Sequence, residues 1–107
     1  MSTFTLEDLQ AIIAARAGDD PKDSYTAALL AEGTEKCAKK LGEETIETVI
    51  AAMKGDSKEL VAETADVLYH LLVLLESRNV VLDDVMTELE RRTVQTGLEE
   101  KASRTSR

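Results

Sequence analysis

Residues 42–70 read GEETIETVIAAMK, then a GDS break, then KELVAETADVLYH. At about 100° per residue, positions three apart share one face of a helix. Glu44 and Glu47 therefore form one carboxylate pair, and Glu63 and Asp66 a second. Two helices joined by a turn as short as Gly55-Asp56-Ser57 run antiparallel, which brings both pairs into one cluster. Carboxylates held together repel one another and take up protons unless cations neutralise them. Oxygen-only ligands suit hard divalent ions, so the pattern predicts a Mg2+ site, with Mn2+ as the alternative.

A solvated helix face also carries charge runs, and Glu43, Glu44 and Glu47 taken alone fit that reading equally well. The second segment weighs against it. From Val61 to Leu75 the helix is apolar on nearly every side, with Val61, Ala65, Leu68, Leu72 and Leu75 on one flank and Val67, Leu71 and Leu74 on another. Such a helix is expected to be buried, and charges inside it need partners. Glu63, Asp66 and His70 share one face of that stretch, at spacings of three and four. The competing account is a buried ion pair with Lys or Arg.

Length and composition set the frame. A chain of 107 residues makes one domain with a modest core, and its only aromatics are Phe4, Tyr25 and Tyr69. The core must then be Leu, Val, Ile and Ala, which suits packed helices. The expected fold is all-α, four to five helices in residues 1–96, followed by a polar, frayed tail over residues 97–107. More helix surface is apolar than one such chain covers, so a homodimer or larger homo-oligomer is expected to complete the bundle. A net charge of −8 argues against nonspecific binding to nucleic acid or to membrane surfaces, both anionic. Cys37 is the only cysteine and has no internal partner for a disulfide. No basic segment followed by an apolar run opens the chain, and Val67 to Leu75 is too short to span a bilayer. These features predict a soluble cytoplasmic protein.

Along the chain, Thr5-Leu6-Glu7-Asp8 reads as a capping box opening a helix that turns Leu6, Leu9, Ile12 and Ile13 inward and ends near Gly18. Asp19-Asp20-Pro21 makes a turn, Ser24 caps a short helix through Leu30, and Gly33 stops it. Thr34 is the expected cap of a helix through Lys54. Gly42, in its interior, costs about 1 kcal/mol relative to alanine and marks either a close approach or simple tolerance. The next helix should run to about Ser77 and the last from about Leu82 to Thr96, with Leu82, Val85, Met86 and Leu89 on one stripe.

The Glu43-Glu44-x-x-Glu47 and Glu63-x-x-Asp66 pattern resembles the signature of MazG-like all-α nucleotide pyrophosphohydrolases. Within that group the chain is similar to the phosphoribosyl-ATP pyrophosphohydrolase family of histidine biosynthesis. Ser24-Tyr25-Thr26, Leu29-Leu30, Gly33, Lys36, Lys40, Gly42-Glu43-Glu44 and the Asp66 to Leu72 stretch fall where that family has them, and the likeness covers roughly residues 5 to 93. A local departure is Val81, where relatives often carry a capping serine. The resemblance implies hydrolysis of phosphoribosyl-ATP to phosphoribosyl-AMP and pyrophosphate. It carries the metal ligands onto Glu44, Glu47, Glu63 and Asp66, and gives Glu43 the part of an adjoining acid that orients a ligand or a water. Glu47 is the weakly favoured base for the attacking water.

Lys36 and Lys40 precede Glu44 on the same helix and can meet substrate phosphates, or equally pair with neighbouring acids as exposed lysines. His70 either hydrogen-bonds a ligating carboxylate or the substrate, or is a satisfied core histidine, and Tyr69 is expected to pack. Three other classes compete. A di-iron bundle wants Glu-x-x-His on two helices, and this chain has one histidine. A non-catalytic helical interaction module has no reason to bury Glu63 and Asp66. A house-cleaning nucleoside triphosphate pyrophosphatase would share the carboxylates without the Ser24-Tyr25-Thr26 segment.

Overall fold

The computed structural model describes residues 3–94 together with 101 and 104. Residues 3–94 form five α-helices and no strand: α1 Leu6–Arg16, α2 Tyr25–Glu32, α3 Thr34–Lys54, α4 Ser57–Ser77 and α5 Leu82–Thr93. The all-α expectation holds. Residues 95 and 96, placed at the end of the last helix, and the tail from residue 97, apart from 101 and 104, lie outside the described residues.

Local chemistry explains most boundaries. Thr5 Oγ1 accepts from Asp8 N at 3.1 Å while Thr5 N donates to Asp8 Oδ2 at 3.0 Å, the reciprocal pair the sequence announces. Ser24 Oγ accepts from Ala27 N at 3.1 Å to open α2, which runs two residues past the expected Leu30. Gly33, not Thr34, is the N-cap of α3, and it has φ 96° and ψ 172°, a region essentially reserved for glycine. The same residue ends α2, so the two helices meet with no linker. Thr34 is released from capping and donates instead to Ser77 Oγ at 3.1 Å, at the far end of α4. Gly55 is left-handed at φ 74°, and Asp56 Oδ1 accepts from Glu59 N at 3.0 Å to start α4.

The hairpin of α3 and α4, each of 21 residues, is the frame, and these two helices make the most extensive contact in the molecule. Ile13, Leu29, Cys37, Leu72, Val73 and Leu82 form the buried core, one or more from every helix. Val81 caps nothing. The first amide of α5, Leu82 N, donates instead to Gln10 Oε1 of α1, so a side chain 72 positions away does the work of the absent serine.

The helix α4 is not covered on all sides as its sequence predicts. Val61 is 71% exposed and Leu71 is only partly covered, because α1 and α5 reach one flank of α4 and leave an apolar cavity of ≈ 260 Å³ among Leu6, Leu68, Leu71, Leu75, Met86 and Leu89. On α3, Ile46, Val49, Ile50 and Met53 lie on the side away from α4 and face solvent. No atom comes within 4 Å of a Cβ built on Gly42, so the close approach considered for it does not come from this chain's described residues.

Candidate active site

The left-handed turn at Gly55 folds α4 back along α3 and sets Glu44 opposite Glu63 and Asp66. One carboxylate oxygen from each of these three residues lies within 4.8 Å of the other two. Glu47, one turn on from Glu44, is outside this group of three but close enough to Glu63 to act on its charge. The carboxyl of Glu63 is pushed above its ordinary range, first by burial, then by Glu47, and then by the charges of Glu44 and Asp66. Its Oε2 is buried with no partner among the described residues. An acid cluster with an orphaned oxygen and no Lys or Arg paired to it among the described residues fits a hard divalent cation and fits the ion-pair reading poorly.

Burial within the cluster is uneven. Glu44 and Glu63 are half-buried, whereas Asp66 is exposed, contrary to the expectation that both acids of α4 sit inside a covered helix. The reason is the open flank: α3 faces Glu63, and no described residue closes over Asp66.

The other sequence candidates separate. Lys40 Nζ lies 3.5 Å from Glu43, so Glu43 turns to the lysine and stays out of the three-acid group. Lys40 is held above the ordinary lysine range, first by Tyr25 and then by Glu43 and Glu44. Lys36, a turn earlier and half-buried, makes no ion pair among the described residues. His70 is buried with Nδ1 unpartnered, and burial holds its pKa below the usual value, more than Glu44 and Asp66 raise it. It is a neutral core ring beside the acids, not a satisfied one.

Tyr69 packs on the core as expected and also meets Thr26 Oγ1 with its hydroxyl at 2.5 Å. Tyr25 stacks on Tyr69 with centroids 6.3 Å apart. No role is assigned to Tyr25 by spacing alone. The available signal was its position just after the Ser24 cap, which fixes an aromatic at a helix start.

The family model described as phosphoribosyl-ATP pyrophosphohydrolase matches residues 6–93, all five helices. The chain belongs to that family. A phosphoribosyl-ATP pyrophosphatase of Methylobacterium radiotolerans is 61% identical over 104 residues, covering 97% of each chain. Proteins of the same name from Allorhizobium ampelinum and Ruegeria pomeroyi are 58% and 60% identical, covering 100% and 94% of their own lengths. Within the matched residues, the hairpin of α3 and α4 gathers the acids.

Proposed function

We infer that this protein hydrolyses phosphoribosyl-ATP to phosphoribosyl-AMP and pyrophosphate, the step that its relatives' name describes in histidine biosynthesis. The observation that carries the reading is the carboxylate group of Glu44, Glu63 and Asp66 within 4.8 Å, with Glu47 against it, inside a chain matched by the family over residues 6–93. Glu44, Glu47, Glu63 and Asp66 would hold the metal, a hard divalent ion such as Mg2+ or Mn2+ because every donor is a carboxylate oxygen. A bound divalent ion supplies charge neutralisation at the phosphate oxygens and orientation of the anhydride for in-line attack.

The chain's own residues supply the rest. Glu47, beside the raised carboxyl of Glu63, would take the proton of the attacking water. Lys40 offers an ammonium toward the phosphates, and Glu43, 3.5 Å away, keeps that side chain at the cluster's edge, with Lys36 one turn behind. His70, held below its usual pKa by burial, adds no charge beside the acids.

A second copy of the chain completes the assembly. The exposed stripe Ile46, Val49, Ile50 and Met53 on α3 and the apolar cavity beside α4 support a homodimer or larger. No helix among the described residues is long and apolar enough to cross a membrane, and a cytoplasmic location fits the biosynthetic reading.

A pyrophosphate-release assay with phosphoribosyl-ATP against ordinary nucleoside triphosphates tests the assignment. Preference for phosphoribosyl-ATP is expected. Faster turnover of the plain triphosphates would favour a house-cleaning role instead.

A further inference from the structure

Aromatic residues are scarce in this chain, yet its two tyrosines stand together. Their rings stack at 6.3 Å with planes 19° from parallel. Tyr69 is fixed from within: its hydroxyl meets buried Thr26, and its ring lies edge-on to His70 at 5.0 Å. Tyr25 is 57% exposed, although burying an aromatic ring is strongly favourable. Its backbone is fixed as the first residue of α2 behind the Ser24 cap, and His70 meets its ring at 6.1 Å and 86°. A ring held on these sides and left open to solvent is a rigid flat surface. It also adjoins the acid cluster: His70, which meets the Tyr25 ring at 6.1 Å, lies one helical turn beyond Asp66 on α4.

We propose that the open part of the Tyr25 ring, backed by Tyr69 and His70, is the stacking platform for the nucleobase of a nucleotide whose phosphates sit at Glu44, Glu63 and Asp66. The proposal rests on the pyrophosphohydrolase reading and adds to it the group that holds the base. A π face is electronegative and offers nothing to a phosphate, which needs donors, but suits the planar, polarisable face of a nucleobase. Lys40, next to Tyr25, stays on the phosphate side, so base and phosphates are held by different chemistry on adjoining surfaces.

The test uses the full chain and two probes: AMP in chelator, which carries the base without help from metal, and inorganic pyrophosphate with magnesium, which has no base. Calorimetric titration of Tyr25→Leu, which keeps an apolar contact for Tyr69, should show AMP affinity reduced by about tenfold. KM for phosphoribosyl-ATP should rise more than kcat falls, pyrophosphate binding should be unchanged, and Tyr25→Phe should restore AMP affinity. The platform is overturned if wild type does not bind AMP, if Tyr25→Leu binds it as wild type does, if Tyr25→Phe loses as much as Tyr25→Leu, or if pyrophosphate affinity falls in step. Failure of wild type to release pyrophosphate from phosphoribosyl-ATP would instead remove the functional reading, leaving the AMP comparison to stand on its own.

Discussion

Thermal stability in magnesium and in chelator probes the acid cluster without relying on turnover. At free magnesium one hundred times its dissociation constant, binding to the folded state alone adds about 2.7 kcal/mol. For a domain of about 100 residues each kcal/mol moves Tm by about 4–8 °C, so the melt should rise by about 10–20 °C. Glu63→Gln replaces one of the three carboxylates gathered within 4.8 Å by a neutral amide. If that weakens the site a hundredfold, the same magnesium adds only about 0.4 kcal/mol, a rise of about 2–3 °C.

The chelated proteins should rank the other way. Because the folded-state pKa of Glu63 is raised by burial and by Glu47, Glu44 and Asp66, its ionisation opposes folding near neutral pH, and the amide relieves this. The sign follows from proton uptake: a raised carboxyl stabilises the fold fully below its unfolded pKa, and that contribution is lost as pH rises through the folded pKa. Chelated wild type should therefore gain stability on mild acidification, and saturating magnesium should reverse the trend, since the ligands must be deprotonated to bind. Melting curves followed by far-UV circular dichroism measure all of this. Equal Tm in chelator and magnesium, or a full magnesium shift in Glu63→Gln, would refute the metal site.

Asp66→Asn should leave a folded protein whose turnover in magnesium drops by at least about a hundredfold, since the exposed Asp66 has no Lys or Arg partner among the described residues to strand. A loss of about 3–5 kcal/mol with activity near wild type would mean that it partners a cation after all. Ile50→Glu, placed in the exposed apolar stripe of α3, should convert a dimer or larger species to monomer in sedimentation velocity at micromolar concentration, and an unchanged sedimentation coefficient would remove that face from the interface. Gly33→Ala should cost about 1–3 kcal/mol in chemical denaturation because φ 96° is closed to residues with a Cβ; a neutral result would show that the joint between α2 and α3 relaxes freely.

The helices and the acid pairs were legible in the sequence because their signals are local. Capping at Thr5, Ser24 and Asp56 depends on neighbours within three residues, and the pairing of Glu44 with Glu47 and of Glu63 with Asp66 depends only on helical pitch. The short break at Gly55 then leaves antiparallel packing as the compact solution, and the two pairs meet. Spacing could not show which acids stay together. Glu43 and Glu44 are adjacent, but about 100° of rotation sends one to Lys40 and the other to the cluster.

Tertiary structure alone decided the rest, because those features join residues far apart in the chain. Gln10 takes over the cap that Val81 lacks, and Thr34 reaches Ser77 instead of capping α3. The uniform greasiness of α4 predicted burial on every side, but burial depends on what packs against each face, and α1 and α5 cover only part of it. For the same reason Asp66 is open while Glu63 is half-buried, and the side chains of Tyr25, Tyr69 and His70, from helices distant in sequence, meet beside the acids. Periodicity assigns a residue to a helix face; only the fold decides whether that face meets core, solvent or another site residue.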